Sequence, residues 1–311
     1  MKKLLCMLFI LLLAFSAVAE GTAVSALVGP TGMGMVKLMK DDEGVNAYEF
    51  TLAASADMIT PALIKGETDV ACVPANLASV LFNKTGGAVR VVRVNTLGVL
   101  YLVERGETVS SIADLKGRTL YSGGKGASPE YVLNFLLREN GLDPEKDLNV
   151  EYKSEHAECL SALMNDETAV ALLPQPFVTV AQGKMENLRI AVDLNTEWAA
   201  VCGDAPLVTG VVVARADFIE NEPEALDAFL KGYDASVEYV NANPEDAAAL
   251  IDAYGIVARA VAEKALPYCN IVSVCGEEMK EMLSGYLQVL FEQDAASVGG
   301  QLPDESFYYE G

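Results

Sequence analysis

The chain repeats one local pattern: a short apolar run that suits a strand, a loop of small residues, and a run with the apolar spacing of a helix. The pattern occurs three times in the first third of the chain, with loops at 29–32, 53–57 and 74–76. Strands that alternate with helices form a parallel sheet with right-handed crossovers. In such sheets, ligands bind beside the loops that follow the strands. The sequence therefore predicts an α/β fold with doubly wound sheets and a binding site at that edge.

The first loop, Gly29–Gly32, joins an apolar strand over Ser25–Val28 to a helical run that contains Met35. Thr31 and Gly32 occupy the position expected for the helix N-cap, so the free N–H groups of the first turn would point over the end of the strand. Such groups can hold a small polar or anionic group. A tight turn without a ligand is the alternative, because glycine-rich turns also occur wherever a backbone must bend sharply.

Later loops repeat this arrangement. Ser55 and Asn76 stand at the starts of the second and third helices, where each could contact a ligand or cap its own helix. Lys125 and Ser128 lie in a second glycine-rich loop, in which Ser128 fits the cap and Pro129 the first helical position. This loop lacks the Gly-Lys-Ser/Thr ending of a Walker phosphate loop, so it gives little support for nucleotide binding.

A rigid turn, Leu173–Pro176, ends a later buried strand, because proline fixes its own φ and restrains the residue before it. Gln175 lies in this turn and could face a ligand or hydrogen-bond the backbone. Two extended apolar segments, 98–103 and 206–214, could cross between two lobes. At 311 residues the chain is long enough for two such domains.

The N-terminus has the pattern of a secretory signal: Lys2 and Lys3, an apolar run over 4–15, and the small-residue site Ala17–Ala19. The apolar run is too short to span a bilayer. Cys6 begins this run rather than ending it, which argues against a lipoprotein signal. We predict cleavage after Ala19 and a periplasmic or extracellular protein, with a membrane-anchored precursor as the alternative.

The formal net charge of −22 argues against nucleic acid and anionic membranes as partners, because both require basic patches. Loss of Lys2 and Lys3 with the signal would make the charge more negative by two. Five cysteines would remain, and their spacings match no zinc pattern, so we predict no metal and no cofactor. Cys269 and Cys275 could form a local disulfide in an exported protein.

The order of these segments resembles the solute-binding proteins of ABC importers, in the nitrate, sulfonate and taurine group that also includes thiamine-precursor binders. The resemblance covers about residues 24–292 and rests on the order and spacing of several segments. They are Gly29–Gly32, Ile64–Ala71 with Pro74 and Asn76, Ile112–Thr119, Leu172–Pro176, and Pro223–Asn241 followed by Asn243–Glu245.

The resemblance implies a type II periplasmic binding protein, in which two doubly wound lobes joined by two hinge strands close on a ligand. Lobe 1 would comprise residues 22–97 and 210–311 and lobe 2 residues 98–209, after a signal peptide of residues 1–19. The implied partners are a small polar or anionic solute, such as a sulfonate, nitrate or a pyrimidine, and the importer's membrane permease, with the binding protein a monomer. The ligand-binding residues expected in the cleft are Gly29, Thr31, Gly32, Met33, Ser55, Asn76, Thr96, Lys125, Ser128 and Gln175.

An enzyme of the same fold is the alternative function, since relatives that make a thiamine pyrimidine rely on a histidine near the cleft. The one histidine here, His156, lies in a polar segment that is typical of solvated surface. No nucleophile–base pair and no metal cluster accompanies it in the sequence, so we predict no catalytic residue and no enzymatic activity.

Overall fold

The computed structural model describes residues 21–203 and 205–311, so the predicted signal peptide lies outside the described residues. Within these ranges the strands form one sheet of six and one of five. The six-stranded sheet contains β1 Thr22–Leu27, β2 Tyr48–Ala53, β3 Val70–Pro74, β4 Val89–Leu97, β10 Val208–Arg215 and β11 Ile271–Val274. The five-stranded sheet contains β5 Leu100–Arg105, β6 Thr119–Ser122, β7 Asn149–Tyr152, β8 Val170–Pro174 and β9 Leu188–Asp193.

Helices follow most of the strands. They are α1 Pro30–Met33, α2 Val36–Asp42, α3 Ala56–Lys65, α4 Ala75–Thr85, α5 Ser128–Glu139, α6 His156–Asn165, α7 Phe177–Lys184, α8 Leu194–Cys202, α9 Ala216–Asn221, α10 Pro223–Ala242, α11 Pro244–Ala253, α12 Arg259–Ala265 and α13 Gly276–Gln293. Short 3-10 helices occupy Ile112–Leu115, Leu266–Tyr268, Ala295–Val298 and Glu305–Phe307. No helix within the described ranges combines the length and the hydropathy needed to span a membrane.

Both sheets are mixed, so the expectation of parallel sheets is correct for only part of each. The six-stranded sheet has the order β11-β4-β10-β3-β1-β2, in which β2, β1 and β3 are parallel and β10 runs antiparallel to β3 and β4. The five-stranded sheet has the order β7-β6-β8-β5-β9, in which β5 runs antiparallel to β8 and β9. Two of the antiparallel strands, β5 and β10, are entered from the other sheet, where no helical crossover within one sheet fixes their direction. The edge strand β11 also runs antiparallel to β4.

The chain passes between the two sheets twice. It leaves β4 for β5 through residues 98–99, and it returns from β9 to β10 through α8 and the segment that follows. The segments predicted to cross between the lobes were 98–103 and 206–214. Most of the first lies in β5 and most of the second lies in β10, so each is largely part of a sheet.

An apolar contact away from the strand ends also joins the two halves of the fold. Trp198 of α8 is 1% exposed, and its ring centroid lies 5.1 Å from that of Phe135 in α5. Tyr286 of α13 also packs on Trp198, with a centroid distance of 5.5 Å. Since α13 also packs against α4, β4 and β10, this aromatic cluster connects the six-stranded sheet to helices of the five-stranded one.

The cysteines form no disulfide in the described part of the chain. Cys269 is buried, with its Sγ 3.8 Å from the Sδ of Met33, whereas Cys275 is exposed, and both are free. Burial raises the pKa of the Cys269 thiol to about 12, so this sulfur remains a protonated, apolar core group at neutral pH.

Candidate functional site

A cavity of about 140 Å³ lies between the ends of the two sheets. Five helices begin at its wall: α1, α4, α5, α6 and α7. The residues that bring these helix ends to the cavity are Pro30, Pro74, Ser128, His156 and Phe177. Each helix starts where a strand has ended, which is the arrangement predicted from the repeated strand, loop and helix pattern. The first-turn N–H groups give this wall a positive potential.

Prolines make the same wall largely apolar. Pro30 and Pro129 lie in the first turns of α1 and α5, Pro74 is the N-cap of α4, and Pro174 ends β8 just before α7. Proline has no N–H, so each one removes a donor while its ring adds apolar surface. Among the described residues that line the cavity, none carries a formal charge. Polarity at the site therefore comes from hydroxyls, one amide, one imidazole and the remaining backbone N–H groups.

Three threonine hydroxyls in the wall already donate their protons to the protein. Thr31 Oγ1 donates to the carbonyl of Leu27 at 3.0 Å, and Thr209 Oγ1 donates to the carbonyl of Leu97 at 2.6 Å. Thr96 Oγ1 donates to the Oδ1 atom of Asn95 at 3.0 Å. With these protons engaged, the hydroxyl oxygens are left to accept hydrogen bonds from a ligand.

Gln175 offers the cavity a hydrogen-bond donor, whereas the threonines offer acceptors. Its Oε1 accepts hydrogen bonds from the hydroxyl of Thr179 at 2.9 Å and from the Thr179 N–H at 3.4 Å. The side-chain amide NH2 is therefore the donor that Gln175 offers to the cavity. The backbone bond that was one interpretation of this residue is present, since the oxygen accepts from the Thr179 N–H, and the residue also lines the cavity.

The structure places His156 in the cavity wall and not on the solvated surface that the sequence indicated. It is the first residue of α6 and lines the cavity, with its ring centroid 5.3 Å from that of Phe177. Its Nδ1 is buried and has no hydrogen-bond partner among the described residues. Burial lowers the pKa of the imidazole from 6.5 to about 4, so the ring is neutral at pH 7. The expectation of a solvated surface histidine is wrong.

A glycine explains why the imidazole can lie inward. A Cβ atom on Gly123 would be 2.8 Å from His156 Nδ1, so only a residue without a side chain leaves room for the ring. The polar neighbours of His156 in the sequence hid this placement, although its position after a strand and at the start of a helix matches that of the other loops.

Half of the ten predicted ligand-binding residues line the cavity. They are Gly29, Thr31, Thr96, Ser128 and Gln175. Gly29, rather than Thr31 or Gly32, is the N-cap of α1, with φ at 150°. A Cβ at Gly29 would meet no described atom within 4 Å, so the positive φ and not crowding requires glycine there. Similarly, Ser128 is the first residue of α5 rather than its cap.

The other five predicted residues do not line the cavity. Gly32 lets α1 approach β1, since a Cβ there would be 2.9 Å from the carbonyl oxygen of Leu27. Met33 is fully buried in the core. Ser55 is the N-cap of α3 by position, but its side chain makes no capping hydrogen bond.

The remaining two have other contacts. Lys125 is exposed, with its Nζ 5.6 Å from the ring centroid of Tyr152, so the one formal charge expected near the site lies outside it. Asn76 is fully buried and bonds two other segments, at Gly126–Ser128 and at Ser297, instead of capping α4. Sequence reasoning also missed two other residues of the cavity wall, Phe177 and Thr209. The direction of α7 places Phe177 there, and the antiparallel position of β10 places Thr209 there.

The family model described as NMT1/THI5 like matches residues 88–247, just over half of the chain. The chain belongs to the NMT1/THI5-like family. Comparison with curated proteins finds no match for this NMT1/THI5-like chain.

Solved structures similar to this NMT1/THI5-like protein include an ABC transporter from Parabacteroides distasonis, with a TM-score of 0.77 and 26% identity over 94% of this chain and 99% of that one. The periplasmic aliphatic sulphonate binding protein SsuA from Escherichia coli has a TM-score of 0.72 and 15% identity over 94% and 93%. The periplasmic nitrate-binding protein NrtA from Synechocystis PCC 6803 has a TM-score of 0.60 and 13% identity over 75% and 66%. The predicted type II periplasmic binding fold and the resemblance to this group are confirmed.

Proposed function

We propose that this NMT1/THI5-like protein is an extracytoplasmic solute-binding protein that delivers a small solute to an ABC importer. The observation that carries the proposal is the cavity between the two sheets, at which five helices begin and which no charged side chain lines within the described residues. The structures of periplasmic binding proteins with the same fold support the general role.

The chemistry of the wall favours a small polar or anionic solute, with a sulfonate, nitrate or a pyrimidine as the classes to test. Helix N-termini carry a partial positive charge of roughly half an elementary charge each, which attracts an anion or the negative end of a dipole. Gln175 adds an amide donor, and the threonine oxygens accept from a ligand N–H or O–H. Because the wall lacks a formal positive charge, an oxyanion would be held by dipoles and hydrogen bonds.

Binding would act on an equilibrium between open and closed forms of two lobes, which we propose comprise residues 22–97 with 210–311 and residues 98–209. A ligand that contacts both lobes binds the closed form better and shifts the equilibrium towards it. The importer's permease would recognise that closed form. Secretion through a signal peptide of residues 1–19, which is cleaved, and a monomeric state complete the proposal.

A thermal-shift screen of the mature chain tests this function. Sulfonates, nitrate, amino acids and pyrimidines are added one at a time, and a true ligand at a hundred times its Kd should raise Tm by roughly 5 °C. Gln175→Ala should reduce the shift, because it removes the amide donor. The matched control is Gln182→Ala, in α7, the helix that follows the turn of Gln175, and outside the cavity wall. No shift with any class would count against a binding role.

Catalysis on a small substrate is the second candidate, and His156 is the observation that favours it. A neutral imidazole in a cavity wall, whose Nδ1 bonds no described residue, can accept or pass on a proton. Turnover of any compound in the panel by purified protein, lost in His156→Ala, would establish an enzyme. Binding without turnover, retained in His156→Ala, would leave the transport role.

A further inference from the structure

The side chain of Asn76 joins three segments of the chain. Its Nδ2 donates to the carbonyl of Ser297 at 3.1 Å and to the carbonyl of Gly126 at 3.3 Å. Its Oδ1 accepts from the hydroxyl of Ser128 at 3.3 Å. Asn76 is 0% exposed, so its bonds to Ser297 and Ser128 form without competition from water, whereas the bond to Gly126 reaches an exposed residue.

These partners lie on opposite sides of the fold. Asn76 follows β3 of the six-stranded sheet, whereas Gly126 and Ser128 follow β6 of the five-stranded sheet. Ser297 lies in the 3-10 helix after α13, which packs against α4. One amide therefore links the loop before α5 to the assembly of α4 and α13.

The link also reaches the cavity. Ser128 lines the cavity wall, while Asn76 does not. The hydroxyl proton of Ser128 is held by Asn76 Oδ1, so the serine oxygen is directed by a residue outside the site. Any movement that separates the two sheets must break this bond together with the bond to Gly126.

We propose that Asn76 is a positioning residue that orients Ser128 in the cavity wall and holds the two halves of the fold together when the cavity is formed. The proposal deepens the proposed function, on which its relevance to ligand binding rests. Loss of the Asn76 amide would open the fold without a ligand present and would leave Ser128 free to rotate.

The sole tryptophan provides the readout. Trp198 is 1% exposed and packs on Tyr286 of α13, so opening between α13 and α8 would expose its ring to acrylamide. In ligand-free protein under native conditions, Asn76→Ala should raise the opening equilibrium constant roughly tenfold, because it removes the two hydrogen bonds, to Gly126 and Ser128, that join the two halves of the fold. Ser128→Ala removes one of them and should give a smaller increase in quenching. If Asn76→Ala does not fold, Ser128→Ala makes the same test.

Asn83→Ala is the matched control. Asn83 lies on the same helix and donates to the carbonyls of Val298 at 2.8 Å and Gln301 at 2.7 Å, but it bonds nothing in the loop before α5. We expect it to lower the stability of the fold without increasing Trp198 quenching. Wild-type quenching in Ser128→Ala and Asn76→Ala, or an equal increase in Asn83→Ala, would overturn the proposal. Because no ligand is added, this result is independent of the outcome of the thermal-shift screen.

Discussion

His156 should make the folded chain lose stability in mild acid. Its pKa is 6.5 when solvated and about 4 in the folded cavity, so the unfolded chain binds the proton more tightly. The stabilising contribution of the neutral ring is complete above pH 6.5 and is lost as the pH falls towards 4. Linkage gives a loss of about 2 kcal/mol in unfolding free energy between pH 7.5 and pH 5.0, and about 3 kcal/mol in all.

Urea unfolding at the two pH values, for wild type and His156→Gln, measures this loss. Several carboxylates, including Glu104 and Asp114, also have lowered pKa values and lose stability in acid, but they do so in both proteins. The difference between the two proteins therefore isolates the histidine. We expect the wild type to lose about 2 kcal/mol more than the variant over this range.

A second observable checks the cause. The chain has one histidine, so its imidazole gives a single titration curve by NMR. A midpoint near 6.5, together with equal acid losses in wild type and His156→Gln, would show a solvated ring. Such a result would refute the placement of His156 in the cavity wall and, with it, the argument for a neutral site.

Two further substitutions, measured by urea unfolding at neutral pH, test the backbone conformation at Gly29 and the packing of the C-terminal segment. Gly29→Ala forces a side chain into a backbone region open only to glycine and should cost about 1–3 kcal/mol, whereas Gly183→Ala, in α7 with ordinary φ and no described atom within 4 Å of its Cβ, should be neutral or stabilising. Equal effects would refute the conformational argument. Phe307→Ala should cost about 3–5 kcal/mol, because the ring is fully buried with its centroid 5.1 Å from that of Phe82; an effect below 1 kcal/mol would show that the C-terminal segment does not pack there.

Local patterns were sufficient to predict the elements that begin the fold. Alternation of strands and helices predicted β1, β2 and β3 and the helices after them, because each unit is determined by residues close in sequence. The direction of β10 was not predictable in this way. An apolar strand has the same composition whether its neighbours run parallel or antiparallel to it, and the path through α8 between the sheets sets its direction.

The sequence predicted those cavity residues whose place depends on backbone position alone. It missed those whose place depends on the direction of the side chain. Gly29 and Ser128 line the cavity because strand ends and helix starts place them there. His156 was missed because the space that admits its ring depends on Gly123, a contact between loops that sequence spacing does not reveal. Asn76 has the position of a ligand residue, yet its amide is engaged by segments far away along the chain.

Titration calorimetry of the mature chain, with the compound that gives the largest thermal shift, measures whether the cavity between the two sheets binds the solute. Ala54 lines the cavity and is exposed, so Ala54→Trp should fill the cavity mouth without disturbing the core, while Met58→Trp places the same ring on an exposed part of α3 outside the cavity wall. We expect one binding site per chain, abolished by Ala54→Trp and retained in Met58→Trp. Undiminished binding in Ala54→Trp would contradict this expectation.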